Sequence, residues 1–343
     1  MSGNTPDVEQ LDLQKLGIEL DAVFMPHYRK QRDDFYRDSS KPDSSAASAR
    51  FVHYTTAEAA LNIIDEKRIW MRNTLCMADY REVQHGFEIL QNFFFDKDKT
   101  AEFKAALDAC VPGAAGEALH LFDQRWNDIR FHTYITSISE HNPKEDTHGR
   151  LSMWRGFGSQ SNPRVALVFN IPWFTGASQA LNVLFSPVAY LTEEEMHGQI
   201  SLVIQNIIRK SAWLSTIKRE FVVNSLFFML LTGVTCLKHE GFREEREWRG
   251  IYSPNCAPSP YMNVATKVVQ GVPQLIYELP LDKRVAPEVG GLEFSQVFDR
   301  LIIGPTQFGW PMYEAFRAAL DKAGVPPEAK QQRIFVSGIP IRS

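Results

Sequence analysis

RFVHYTTAEAALNIIDEKRIWMRN, residues 50–73, is the stretch that decides the fold. Its opening, RFVHYT, has the composition of a short strand. Thr55 or Thr56 can accept a backbone N–H from the segment that follows, and Lys67 and Arg68 near its far end suit the negative end of a helix dipole. The sequence therefore predicts a strand, a capped helix and a second strand, IWMRN, in close succession.

Further strands are predicted downstream at irregular intervals. They read FHTYITSIS, VALVFNI, LFSPVAYL, EWRGIYS, QLIYELP, RLIIGP and RIFVSGIPIR, and helices are predicted over 82–130, over 193–238 and in PMYEAFRAALDKAG. No repeating strand–helix period is visible, which favours an α+β fold over a doubly wound parallel sheet. The glycines of GFGSQS follow no predicted strand, so the pattern does not indicate a dinucleotide-binding glycine loop.

The N-terminal region differs in composition from the rest. Residues 8–37 carry apolar residues near helical spacing and then a charged run, and SSKPDSSAASA at 39–49 has little to bury. We therefore expect an N-terminal helical arm and Ser-rich linker over 1–49, followed by a single α+β domain over 50–343. The arm is a candidate for binding a partner protein.

Composition narrows the possible functions. A formal net charge of −4 predicts no general attraction to nucleic acid or membrane surfaces. The four cysteines are scattered without metal-binding spacing, and the first residues lack a secretory signal, so we expect reduced thiols in a cytoplasmic protein. The apolar run Phe221–Leu237 contains Asn and Thr and predicts a buried helix rather than a membrane span.

Two motifs have the chemistry to hold a nucleotide. HYTT combines His53 and Tyr54 with Thr55 at a predicted helix start, where hydroxyl and ring groups could grip a ribose and a phosphate. GRLSMWRGFG offers Ser152, Trp154 and Arg155, a hydroxyl, a flat ring and a cation. The alternative for each motif is structural: a threonine cap beside a packed tyrosine, and a tryptophan that packs a helix on the sheet.

EEREWRGIYS contains the candidate catalytic carboxylates. If EREWRGIY is one strand, alternation puts Glu245, Glu247 and Arg249 on the same face. Such carboxylates either belong to a solvated edge strand or lie in a cleft and stabilise positive charge, as in glycosyl-bond chemistry.

A separate acidic pair lies in DYRE. Asp79 and Glu82 are three residues apart and, with His85, could bind a metal ion, but capping or a surface pair is the favoured explanation. We predict no metal site.

Taken in order, these segments resemble a bacterial and phage family catalogued as domain of unknown function 2971. The resemblance rests on FVHYTT, IWMRNTLCMADYREVQHG, YITSISEHNPKEDTHGRLSMWRGFG, EEREWR, LIIGP and VSGIPIR, from about residue 51 to 342. Ala78 departs from the asparagine that is common in this family before the aspartate.

That family looks related to the ADP-ribosyltransferase-like fold, a split β-sheet that cradles NAD. The resemblance implies that Glu247 is the decisive catalytic carboxylate, with Glu245 orienting the acceptor. His53 would anchor the NAD ribose, Tyr54 or Trp154 would stack, and Arg155 or Arg249 would neutralise the pyrophosphate. Tyr134, Ser152 and Trp154 stay open as the middle contact.

The implied function is ADP-ribosyl transfer from NAD, which serves as substrate, to an unknown protein, nucleic-acid or small-molecule acceptor, in a toxin or phage-defence setting. The alternatives are a non-catalytic nucleotide-binding or interaction module and, third, a metal-dependent nuclease.

Overall fold

The computed structural model describes residues 8–39, 49–77, 81–156, 162–171, 176–285, 287–326 and 333–340. Contacts divide the chain into two compact units, a helical one and one built on a sheet. The described parts of the helical unit are 8–33, 81–130 and 189–241, so its segments alternate along the chain with those of the sheet unit. The sequence predicted one domain from residue 50 onward, whereas the contacts group two later helical segments with the N-terminal helices.

The helical unit contains most of the predicted helices. They are α1 (Val8–Phe24), the first part of α2 (Pro26–Ser39), α4 (Arg81–Phe95), α5 (Lys97–Asp108), α6 (Ala114–Phe131), α9 (Glu193–Arg209), α10 (Ser211–Leu214) and α11 (Arg219–Thr235). A short parallel pair, β6 (Ala189–Tyr190) and β7 (Leu237–Lys238), joins them.

Helix α11 is the apolar run that the sequence placed in a core. It approaches α4 closely, since a Cβ on Gly86 would lie 2.8 Å from the carbonyl oxygen of Gly233. Glycine at this crossing therefore lets the two backbones touch. In the described part of the chain, no helix has both the length and the apolar character needed to cross a bilayer.

The other unit is built on a ten-stranded sheet. Its strands are β1 (Arg50–Thr56), β2 (Arg68–Asn73), β3 (Tyr134–Glu140), β4 (Arg164–Asn170), β5 (Leu184–Pro187), β8 (Glu247–Tyr252), β9 (Asn263–Val269), β10 (Val272–Pro280), β11 (Phe298–Ile303) and β12 (Ile334–Val336). Its helices are α3 (Ala57–Glu66), α7 (Leu151–Gly156), α8 (Gly176–Leu181), α12 (Phe294–Val297) and α13 (Gly309–Lys322).

Along the main path of the sheet, neighbouring strands pair in the order β12-β11-β4-β1-β3-β2-β10-β9. β8 lies off this path and pairs with β3 and with β5. The β11–β12 pair is parallel and the other pairs are antiparallel. The predicted α+β class is confirmed, with a large mixed sheet and many helices.

The opening segment folds as its sequence indicates. β1 leads directly into α3, and the Thr56 hydroxyl accepts the Ala59 N–H at 3.2 Å as the helix N-cap. α3 and α13 pack on one face of the sheet in the main hydrophobic core, together with Leu167 of β4. On the opposite face, Val52 and Tyr54 of β1 pack against Trp154 of α7.

Two strand predictions need correction. Glu245 does not belong to β8; it ends the 3-10 helix Glu240–Glu245, and the strand starts at Glu247. The residue between them, Arg246, has φ 44°, a left-handed conformation that breaks the strand alternation. The sequence analysis also missed β9, which forms a hairpin with β10 through Gln270 and Gly271, both at positive φ.

Candidate functional site

The candidate site is centred on the Glu247 carboxylate at the start of β8. Its side chain is buried at 6% exposure. The Ser137 hydroxyl donates to Oε1 at 2.5 Å, and Arg249 Nε and Nη2 lie 2.8 and 3.3 Å from Oε1 and Oε2. A buried carboxylate with charge-assisted partners of this kind is held in one orientation.

Strand register explains why these three side chains meet. In the β3–β8 ladder Ser139 lies opposite Glu247 and Ser137 lies opposite Arg249. Directly opposed residues of an antiparallel pair share a face, and so do alternate residues of one strand. The four side chains therefore form a polar patch on one face of two neighbouring strands.

His53 of β1 contacts the backbone of Ser137. Its Nδ1 lies 3.0 Å from the Ser137 carbonyl oxygen. The carbonyl can only accept, so Nδ1 carries the hydrogen and donates. Burial lowers the pKa of His53, which favours the neutral ring.

His53 and Glu247 do not share a face of the sheet. His53 pairs with Leu167 of β4 and so lies on the main-core face, whereas Val52 pairs with Ser139, on the face of Glu247. The ladder between β1 and β3 contains only the pairs Phe51–Glu140 and Val52–Ser139, and the His53 contact to β3 falls beyond its last pair. Ser137 therefore joins the two predicted residues, with its carbonyl to His53 and its hydroxyl to Glu247.

Ser137 is the residue of the candidate site that the sequence did not predict. Of the three middle candidates, Tyr134 is buried in the main core, with its ring centroid 4.6 Å from that of Tyr277. Ser152 and Trp154 lie on α7. The signal for Ser137 was the alternation in YITSISE, which puts Ser137 and Ser139 on one face of a strand, but only the pairing with β8 shows which residues they meet.

Tyr54 and Trp154 have packing roles in the structure. Their ring centroids are 4.9 Å apart in an edge-to-face arrangement, and the rings are 7% and 4% exposed. The Tyr54 hydroxyl accepts the Arg150 backbone N–H at 2.8 Å, and burial raises the pKa of Tyr54 to about 12. The Trp154 indole donates to the His148 carbonyl at 2.8 Å. These contacts match the structural alternatives, a packed tyrosine in HYTT and a tryptophan that packs a helix on the sheet in GRLSMWRGFG.

The remaining predicted residues lie elsewhere in the sheet unit. Thr55 is half-buried on the face of His53, opposite Val165. On α7, Ser152 is half-buried and Arg155 is exposed. Glu245 is half-buried in the turn before β8, where its carbonyl accepts from Arg150 at 3.2 Å.

Only part of the acidic pair considered for metal binding lies within the described residues. Ala78 and Asp79 lie outside the described residues, and Glu82 and His85 lie on α4. In the described ranges, no three His, Cys, Asp or Glu side chains form a cluster that could hold a metal ion.

Comparison with known proteins adds one match. A family model described as Protein of unknown function (DUF2971) matches residues 153–250. This segment begins in α7 and ends in β8, so it includes Glu247 and Arg249, and it supports the family resemblance that the motifs indicated. Searches of the curated proteins and of the solved structures each found no significant match.

Proposed function

We propose that the chain is an NAD-dependent ADP-ribosyltransferase with Glu247 as its catalytic carboxylate. The observation that carries the proposal is the buried Glu247 carboxylate at the start of β8, oriented by the Ser137 hydroxyl of β3 at 2.5 Å. The proposal takes the sheet as a split sheet of the ADP-ribosyltransferase-like type and the acceptor as a cytoplasmic macromolecule.

The chemistry needs a carboxylate of this kind. As the bond between nicotinamide and ribose C1′ breaks, its electron pair leaves with the nicotinamide and positive charge builds up on the ribose ring. An oriented carboxylate can accept a hydrogen bond from the ribose 2′-hydroxyl and stabilise that charge. The acceptor then bonds to C1′ and gives up its proton to solvent or to a nearby base. Glu247 supplies the oriented carboxylate.

His53 and Arg249 complete the proposed site. The neutral His53 ring is fixed through Nδ1 on Ser137, so the anchoring of the NAD ribose falls to its other nitrogen. Arg249 pairs with the Glu247 carboxylate at 2.8 Å and is the proposed cation for the pyrophosphate of NAD.

A second candidate is a nucleotide-binding module without turnover. The observation in its favour is that the Arg249 guanidinium contacts both carboxylate oxygens of Glu247. If that pairing persists with NAD bound, the carboxylate cannot accept a hydrogen bond from the ribose 2′-hydroxyl. In this reading the polar patch recognises a nucleotide and the N-terminal helices bind the partner protein.

The test compares Glu247→Gln with Glu244→Gln, a matched change to an exposed carboxylate three residues earlier. Purified protein is incubated with NAD labelled in its adenylate part and a cell lysate, and both nicotinamide release and label transfer are measured. We expect wild type and Glu244→Gln to transfer label and Glu247→Gln to lose about 100-fold or more in rate.

The outcomes separate the two candidates. Tight NAD binding by calorimetry without nicotinamide release in wild type rejects the transferase and supports the binding module. The absence of both binding and release rejects both. Equal rates for wild type and Glu247→Gln remove Glu247 from the chemistry.

A further inference from the structure

Arg150 is an extensively hydrogen-bonded side chain near the candidate site. Its guanidinium makes five hydrogen bonds, the full number of N–H donors that an arginine has. Nη1 donates to the carbonyls of Glu244 and Glu245 at 2.8 and 3.2 Å, and Nη2 donates to the Glu140 carbonyl at 2.8 Å. Three main-chain carbonyls from two distant segments therefore converge on one side chain.

These carbonyls lie at the ends of the strands that build the site. Glu140 is the last residue of β3, and Glu244 and Glu245 close the 3-10 helix just before β8. Between that helix and Glu247 lies only Arg246, whose left-handed φ of 44° turns the chain into the strand. The Glu140 N–H also donates to the Arg246 carbonyl at 2.9 Å. Hydrogen bonds therefore hold the backbone both just before Arg246 and at its own carbonyl, where the chain enters β8.

Arg150 is itself held by a salt bridge and by a hydrogen bond of its backbone. Nε and Nη2 contact the two Glu145 carboxylate oxygens at 3.0 and 3.2 Å, a two-point pairing. The Arg150 backbone N–H bonds to the Tyr54 hydroxyl. The loop that precedes it is anchored at Asp146, which pairs with Arg50 at 2.9 Å and with Arg300 at 2.8 Å.

We infer that Arg150 is a positioning residue that sets the register in which the Glu247 carboxylate meets the Ser137 hydroxyl. The inference rests on the proposed function for its effect on the reaction, but its structural part does not. The hydrogen bonds of the Arg150 guanidinium reach neither Glu247 nor Ser137. Two of them bind the backbone carbonyls two and three residues before Glu247. Lysine cannot replace it, because a single ammonium group cannot span three carbonyls.

The experiment compares wild type with Arg150→Ala and Arg150→Lys. The control is Arg317→Ala, which removes an exposed arginine paired only with Glu314 in the described contacts of α13. NAD turnover gives kcat and KM, and hydrogen exchange of the peptide over 243–252 reports the β8 entry without any need for activity.

We expect kcat of Arg150→Ala to fall about 100-fold with KM for NAD changed less than about threefold, because a misplaced carboxylate affects the transition state more than substrate binding. Added guanidinium ion should restore part of kcat in Arg150→Ala. Exchange at 243–252 should rise in both Arg150 variants, while the peptide over 263–280 and the Arg317→Ala protein stay as in wild type.

Several results would overturn the inference. A folded Arg150→Ala with wild-type kcat, or a loss of kcat with no faster exchange at 243–252, excludes the positioning role. If Arg150→Ala does not fold, Arg150→Lys decides alone: wild-type kcat and exchange reject the inference, and a lowered kcat with faster local exchange supports it. A wild type without NAD turnover ends the proposed function, and exchange at 243–252 then decides whether Arg150 sets the strand entry.

Discussion

Glu247 and Asp21 illustrate two ways in which this chain buries a carboxylate. Glu247 pairs in its own strand with Arg249 and accepts the Ser137 hydroxyl, and these contacts offset the cost of burying its charge. Asp21 of α1 pairs with Arg32 of α2 at 3.3 Å, but its burial has the larger effect on its pKa. Burial raises the pKa of Asp21 from 3.8 to about 6, although the Arg32 cation opposes the shift.

The Asp21 shift predicts a specific dependence of stability on pH. Its folded-state pKa lies above its unfolded value, so the folded chain retains a proton that the unfolded chain loses. The stabilisation is fully present below about pH 4 and is lost as pH rises through about 6. The Asp21→Asn variant has no carboxyl group at this position, so it lacks this pH-dependent contribution to stability. The unfolding free energy of wild type relative to Asp21→Asn should therefore fall by up to about 3 kcal/mol between pH 4 and 7.

Urea unfolding followed by far-UV circular dichroism at several pH values measures this difference. Glu19→Gln removes an exposed carboxylate from the same helix and should give a curve parallel to wild type. Parallel curves for wild type and Asp21→Asn would show that Asp21 does not titrate in this range.

At the scale of elements, the loop between β3 and α7 is shaped by one glycine. Gly149 has φ +68°, and a Cβ there would lie 2.6 Å from Cζ2 of Trp154. Both the backbone conformation and the close approach of the indole therefore require glycine. This loop carries Arg150, so its shape also determines where the guanidinium lies.

Gly149→Ala should lower the unfolding free energy by about 2 kcal/mol or more, through backbone strain and displacement of Trp154. Gly156→Ala is the matched control, because its Cβ would meet nothing within 4 Å and it ends α7 without positive φ. Thermal unfolding of the two variants provides the comparison. Equal stabilities would mean that the loop relaxes without cost.

The cap of α3 could be predicted from the sequence, whereas the turns next to β8 and between β9 and β10 were not predicted. Thr56 caps α3 as RFVHYTTAEAALN indicates, because a cap needs only neighbouring residues. The β9–β10 hairpin was missed although Gln270–Gly271 is a two-residue turn signal, since NVATKVV was not read as a strand. Glu245 was assigned to β8 because strand alternation does not reveal a left-handed residue such as Arg246.

At the scale of the whole molecule, the segment that matches the family model is not a self-sufficient part of the fold. β4 pairs with β1 and β11, and β8 pairs with β3, all of which lie outside 153–250. Only β5 remains as a partner for β8 within that segment. Strands without partners leave backbone groups unsatisfied and an apolar face uncovered.

A fragment of residues 153–250 should therefore lack a cooperative thermal transition, whereas the full chain should show one. Far-UV circular dichroism and hydrogen exchange of both proteins test this. Residual helix in α9 and α11 is compatible with the prediction, because helical bonds are local. A cooperative transition of the fragment, with protected β4 amides, would contradict it.

The sequence by itself determined the strand–helix–strand start, the α+β class, the buried character of α11 and the presence of a carboxylate strand at EWRGIYS. These properties depend on side-chain periodicity and caps within a few residues of one another. The tertiary structure decided which groups hold Glu247, that Ser137 joins it to His53, that Tyr54 and Trp154 pack on each other, and that Arg150 pins the strand entry. Ser137 and Glu247 are 110 positions apart. Their contact depends on β3–β8 register, which is set when distant segments pair and which no local pattern contains.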